Sequence, residues 1–259
     1  MDEPVLRSVD SRGVATVTFN RPEVNNAYDG ALVQGLHDAM DELAAQRAVR
    51  AVVIRGAGRH FQAGADLKWI AQVKAQSVAE NERASRATAL AVHRQRVQPV
   101  PTLALVQGAC FGGGTGNLAA CDVVIAAEDA MFSISETRWG LMAGIILPQL
   151  ADAIGARQVR RYALSGERFG AQEARRIGLV HEVVPAPELS AAGERMLGQL
   201  LQNAPEANAQ TKAAAPQANS SGSSCSTPPS GAAPRRPRVL LPSRRSAPGA
   251  GPRGGCPGR

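Results

Sequence analysis

The chain has 259 residues, 44% of them hydrophobic and 20% charged, a balance that suits a globular protein with a sizeable core. Its formal net charge of +7 belongs to one end: all 22 acidic residues lie at or before Glu206, and eight of the 29 basic residues follow it. The acid-bearing part has no basic helix with interleaved aromatics, no apolar run reaches the ~18 residues of a membrane span, and no signal peptide opens the chain, so nucleic-acid binding, membrane contact and export are set aside and a cytoplasmic location is expected.

In "GVATVTFN", Ala15, Val17 and Phe19 alternate with Thr16 and Thr18, the period of a half-buried strand. "NRPEVNNAYD" reads as a turn, and Asp29 can cap a helix whose Leu32, Leu36, Ala39, Met40 and Leu43 share one face. "AVVIRG" is a short buried strand. "RHFQAGADLKWI" passes from loop into helix, and the next helical run places Ala87, Leu90, Ala91, Arg94 and Val97 on one side. "PTLALVQG" is another buried strand and leads into "ACFGGGTGNLAACD". Strands at "DVVIAA" and "MFSI", helices around 157–164 and 171–177, and a strand in "GLVHEVV" follow. Leu189, Met196, Leu197, Leu200 and Leu201 mark a last amphipathic helix. Strands alternating with helices, and often paired before a helix, place the chain in the α/β class. From about residue 213 the sequence is Pro, Gly, Ser, Ala and Arg with almost no core residues, and 213–259 is expected to be disordered.

The glycine run invites a phosphate-loop reading, but Gly114 is followed by Thr115, Gly116 and Asn117 where a Walker loop needs Lys and Ser or Thr. The dinucleotide spacing fails at Asn117. What remains is a loop whose bare backbone comes close to something, with N–H groups free to donate. "QAGADLKW" is built alike: both loops follow a buried strand and begin a helix, so together they can offer two N–H donors to a carbonyl oxygen that gains charge as an enolate. Glue-like packing at a strand–helix junction is the plainer alternative. Glu136, just past a strand and among Phe132, Ile134, Trp139 and Leu141, sits where apolar surroundings would raise a carboxyl's proton affinity and suit it to acid/base work. His60 and His93 lack an orienting carboxylate, Ser133 and Ser135 lack a nucleophile elbow, and Cys110 reads as a small core residue. Cys110, Cys121, Cys225 and Cys256 have no C-x-x-C spacing, so neither disulfide nor metal is implied.

"NRPEVNNA", "FQAGADLK", "GACFGGGTGNLAACD", "FSISETRWGL" and "GERFGAQEARRIGLVHEVV" together resemble the successive signature segments of the enoyl-CoA hydratase/isomerase (crotonase) family over about residues 5–212. The flanking text is most similar to bacterial enoyl-CoA hydratases of the methylglutaconyl-CoA hydratase kind. The resemblance implies an α/β spiral of repeated ββα turns, assembled as a homotrimer or hexamer, acting on an acyl-CoA substrate with no separate cofactor, coenzyme A being part of the substrate. It places Ala65 and Gly113 as the oxyanion hole, Glu136 as the catalytic acid/base, and Ala63, Ala65, Asp66, Leu67, Lys68 and Gly112 along the substrate, Lys68 facing phosphate; Trp139 reads equally as lining the acyl pocket or as core packing. In one respect the sequence departs from the family: two-carboxylate hydratases carry a first Glu three residues after the oxyanion glycine, and here that position is Gly116. Three activities follow: syn hydration of an α,β-unsaturated acyl-CoA by Glu136 alone, a double-bond isomerisation or other enolate reaction, and an inactive acyl-CoA-binding homologue.

The family continues past "NAPEANAQTKA" with helices that close the CoA site, often ending near F-x-E-K-R. The tail here has instead the composition of a GC-rich gene read out of frame, in a chain with three lysines against 26 arginines. "PSRRSA", 242–247, can be encoded by CCT-TCG-CGG-AGA-AGC-GC, which read in a shifted frame gives Phe-Ala-Glu-Lys-Arg. A frameshift after about residue 213 is therefore expected.

Overall fold

Residues 3–220 are described by the computed structural model. Six strands form the main sheet: β1 (Val5–Val9), β2 (Val14–Phe19), β3 (Ala51–Gly56), β4 (Thr102–Val106), β6 (Val123–Ala127) and β9 (Glu182–Val184), adjacent in that order. β1 is antiparallel to β2 and every later pair is parallel. Three short strands, β5 (Ala109–Phe111), β7 (Met131–Ser133) and β8 (Phe169–Gly170), form a second sheet. The helices are α1 (Gly30–Ala45), α2 (Leu67–Lys74), α3 (Val78–Arg96), α4 (Gly113–Ala119), α5 (Leu147–Ser165), α6 (Ala171–Arg176), α7 (Leu189–Gln202) and α8 (Pro205–Ser220).

Because side chains alternate along a strand, each central strand feeds two cores. Ala15, Val17, Phe19, Val52, Ile54, Ala104, Val106, Val124 and Ala126 point to one face, packed with α1, α3 and α5. Val14, Ala51, Val53, Leu103 and Ile125 point to the other, under Ala192 and Leu197 of α7. This is why the strands read as continuous apolar runs.

A unit of structure recurs along the chain. β3 leads to an extended segment at Gln62 and then α2; β4 leads to β5 and α4; β6 leads to β7 and, after a short turn, α5. Each unit sets one strand in the large sheet and one short extended piece in the second layer, joined to its predecessor through the Gln62–Cys110 bridge and the β5–β7 pairing. These are the ββα turns expected of the spiral.

The structure adds detail to three parts of the sequence reading. α3 buries Thr88, Ala91, Val92 and Gln95, whereas Leu90 and Val97 are 41% and 50% exposed. The buried face is partly polar, since Gln95 donates to the carbonyl of Asn117, so the apolar spacing alone pointed about one residue away. β1 was not expected, being an edge strand with one fully buried residue, Val5. The boundary expected at residue 213 falls within α8: Pro205 suits a first helical turn and Ala213, Ala214 and Ala215 are the strongest helix formers. Lys212 holds α8 in place, its Nζ lying 3.1 Å from the Val100 carbonyl and 2.7 Å from Asp122. The expected disorder and frameshift of the remaining tail lie outside the described residues.

The turn "RPEVNNA" is fixed from within. Asn25 and Asn26 both adopt left-handed backbone, which Asn tolerates better than most residues. Fully buried, Asn26 donates to the carbonyls of Ala57 (2.8 Å) and His60 (2.7 Å) and accepts from the Arg21 N–H (2.9 Å). Asn26→Ala strands these buried groups, and we expect it to lower unfolding free energy by about 3 kcal/mol or more in urea titrations.

Candidate active site

Two backbone segments frame the candidate site. In the first, the Tyr28 N–H donates to Gly64 O and the Asp66 N–H donates to Tyr28 O, both at 2.8 Å. In such a parallel bridge the residue between the two partners directs its own N–H to the opposite side. Ala65 is that residue, and among the described residues its N–H donates to no backbone carbonyl. In the second segment Gly113 is the first residue of α4, where the N–H has no intrahelical acceptor. The segments lie in contact: Phe111 N–H donates to Gln62 O at 2.9 Å, Gln62 N–H to Ala109 O at 3.1 Å, and a Cβ on Gly64 would stand 3.0 Å from Phe111 O.

Each glycine of the run admits a different neighbour. A Cβ on Gly112 would stand 3.2 Å from Glu136 Oε1, and one on Gly113 would stand 2.5 Å from Tyr28 Cε1 and 3.0 Å from its Oη. On Gly114 it would lie 2.7 Å from Gln62 O, and on Gly116 it would overlap Ile146 Cγ2. Gly112 also has φ of +50°, its N–H donating to Ser133 O at 2.8 Å. The run is thus a close-packed junction, and the volume beside position 116 is filled by the aliphatic side chain of Ile146.

A cavity of about 500 Å³ opens onto both donors. Its walls are mostly aliphatic, from α1 (Leu32, Leu36), α2 (Ile70, Val73), α3 (Ala91, Val92) and Ile146. Among the described residues Glu136 is its one lining carboxylate. Glu136 begins the short turn Glu136–Trp139, Oε2 is buried without a protein partner, and burial raises its carboxyl above the ordinary value of 4.5. Tyr28 is likewise pushed up, by burial and then by the Glu136 charge.

Of the residues expected from sequence, Ala65, Leu67, Gly113, Glu136 and Trp139 line this cavity, Trp139 being 57% exposed. Asp66 and Lys68 line a separate hollow of about 380 Å³ with Asp29 and Gln72. Asp66 caps α2, accepting from the Lys68 and Trp69 N–H groups. Its burial favours protonation, but those bonds and Arg21 outweigh it and hold the carboxyl below its usual value. Arg21 lies 3.3 Å from Asp66 and 3.1 Å from Asp29, tying the caps of α2 and α1 together. Ala63 and Gly112 act through backbone: the Ala63 N–H is spent on Asn25 O, and Gly112 makes room for Glu136. His60 accepts from the Ala109 N–H through Nδ1, and Cys110 is buried in the core. Tyr28 and Ile146 were missed. Nothing local marks Ile146, and Tyr28 follows the "NNA" turn without a motif that sets it apart. Among the described residues no cluster of three metal-ligating side chains occurs, and no helix is long and apolar enough to cross a membrane.

Residues 10–224 match the enoyl-CoA hydratase/isomerase family model, and the chain belongs to that family. It is 37% identical over 196 residues to the hydroxycinnamoyl-CoA hydratase-lyase of Pseudomonas fluorescens, covering 74% of this chain and 71% of that protein. It is 30% identical over 210 residues to the mitochondrial Delta(3,5)-Delta(2,4)-dienoyl-CoA isomerase of Dictyostelium discoideum, covering 77% and 72%. The crystal structure of an enoyl-CoA hydratase from Shewanella pealeana superposes with a TM-score of 0.81 at 29% identity, over 84% of this chain and 81% of that one. The fold is therefore the crotonase fold, and the family's members act on acyl-CoA substrates.

The packing makes glycines here unequal. Gly116→Ala meets Ile146 and is expected to cost about 1–3 kcal/mol. Gly198→Ala, in the open on α7, is expected to gain about 0.5–1 kcal/mol in the same denaturation series. Linkage gives a second test. A carboxyl whose folded pKa is raised stabilises below its unfolded pKa and loses that contribution as pH rises through the folded value. Glu136→Gln, which cannot ionise, should therefore gain stability relative to the parent chain as pH rises from 4 to 8 in thermal unfolding.

Proposed function

We propose that the protein hydrates 2-enoyl-CoA thioesters, with Glu136 as its single acid/base. The observation that carries this reading is the convergence of the Ala65 and Gly113 N–H donors and the Glu136 carboxylate on one aliphatic cavity. The thioester oxygen accepts from both N–H groups. Glu136 takes a proton from a water as its oxygen adds to the β-carbon, and the double-bond pair moves into the enolate held by the donors. The same carboxyl then delivers that proton to the α-carbon. One group performs both transfers from one side, so H and OH add syn. Burial supports this double duty by bringing the carboxyl's proton affinity nearer working pH. The adenosine end is assigned to the hollow beside Lys68. No cofactor beyond the substrate's coenzyme A enters the scheme, and a cytoplasmic trimer or hexamer is part of the same reading.

Ile146 favours a second reading. With its side chain where a first carboxylate would stand, that position has no second acid/base, and Glu136 could instead carry a proton between the α- and γ-carbons, moving the double bond.

Mass analysis in heavy water of 2-enoyl- and 3-enoyl-CoAs incubated with the protein separates the two. Addition of one water, reduced about 10²–10⁴-fold in Glu136→Gln, supports hydration. Deuterium uptake with bond migration and no added water replaces it with isomerisation. In either case the acid limb of kcat/KM should lie above the ordinary Glu value of 4.5.

A further inference from the structure

Tyr28 touches both oxyanion donors. Its backbone brackets Ala65 through the bonds to Gly64 and Asp66, and its side chain reaches the other donor, with Oη 3.0 Å from where a Cβ on Gly113 would stand. The ring is oriented by an edge-to-face contact with Trp69 at 5.8 Å between centroids. Tyr28 lines the cavity, and its hydroxyl is not among the buried unpartnered polar atoms, so it is open to what occupies that space. A phenol O–H held near an N–H donor and open to the cavity is free to donate to a ligand oxygen that displaces water there.

We propose that the Tyr28 hydroxyl is a third donor of the oxyanion hole, giving a hydrogen bond to the thioester oxygen alongside the Ala65 and Gly113 N–H groups. The inference rests on the enolate reading of the site and is independent of whether water adds. Burial and the Glu136 charge oppose ionisation of the phenol, so the proton it offers is retained at neutral pH. Tyr28 gives up no proton in the reaction; its bond strengthens as charge gathers on the oxygen. The phenol and the carboxylate abut successive glycines of the run, the carboxylate at Gly112 and the phenol at Gly113. A placement that served the acyl chain would not need this approach to the Gly113 peptide.

The test compares the full chain with Tyr28→Phe, which keeps the ring and its contact with Trp69. Two rates are measured: turnover of an enoyl-CoA, and exchange of the α-proton of butyryl-CoA in heavy water, which needs the enolate but no addition of water. If the proposal is correct, both fall by a common factor of about 10–100, with KM and the butyryl-CoA dissociation constant within about threefold of the parent. Exchange that is unchanged overturns it, even if turnover falls, because the hydroxyl then serves water. A raised KM with kcat retained also overturns it, because the hydroxyl then serves the acyl chain. Ultraviolet absorbance of bound acetoacetyl-CoA supplies a readout that needs no turnover. The enolate band should grow on binding to the parent chain and less in Tyr28→Phe. A parent chain that hydrates nothing yet shows this difference defeats the hydration reading and keeps the third donor; an equal band in both chains defeats the third donor alone.

Discussion

The reacting centre depends on two backbone loops lying closer than side chains would allow. The Tyr28 peptide is bonded on both sides of Ala65, and the Gly112–Gly114 run lets Glu136, Tyr28 and the Gln62 backbone approach α4 from three directions. The donors are thereby fixed before any ligand arrives, and a preorganised N–H costs no reorganisation when charge develops. The same requirement reaches outward. Asn26 holds the turn before Tyr28, and Arg21 joins the caps of the two helices that flank it. Residues far from the reacting atoms therefore belong to the site because they set the distance between its loops.

Around this rigid centre the electrostatics are sparse. The cavity wall is mostly aliphatic, and the Oε2 of Glu136 is buried in it without a partner among the described residues. That cost and the raised proton affinity have one origin: water is withheld from the charged form. A group that holds its proton more tightly than a surface glutamate is a better base for a carbon-bound or water proton, which is what the proposed role of Glu136 asks of it.

Much of this was legible in the sequence, and the failures follow a physical pattern. Central strands were visible because burial on both faces makes them apolar throughout, and Asp29 was visible because its cap is local: it accepts from the Leu32 N–H. Both N–H loops could be named because glycine before a helix has local meaning. The buried face of α3 was misjudged because Thr88 and Gln95 are polar residues whose donors find buried acceptors, Gln95 across to α4, which no periodicity encodes. Gly116 could be seen as a departure, but its reason could not: Ile146 lies thirty positions away and reaches it only through the fold. Tyr28 failed in the same way, since its importance lies in the peptide it touches.

The overlap between position 116 and Ile146 constrains the routes by which such a sequence can change. A carboxylate at 116 must displace the isoleucine side chain, and removing the isoleucine first leaves a void whose cost is about 2–5 kcal/mol for an Ile→Ala change. Either single step carries a penalty, whereas the pair of changes compensates in volume. A lineage with an aliphatic residue here and one with two carboxylates are thus separated by a barrier in stability, and their chemistries would diverge by simultaneous replacement rather than by gradual drift.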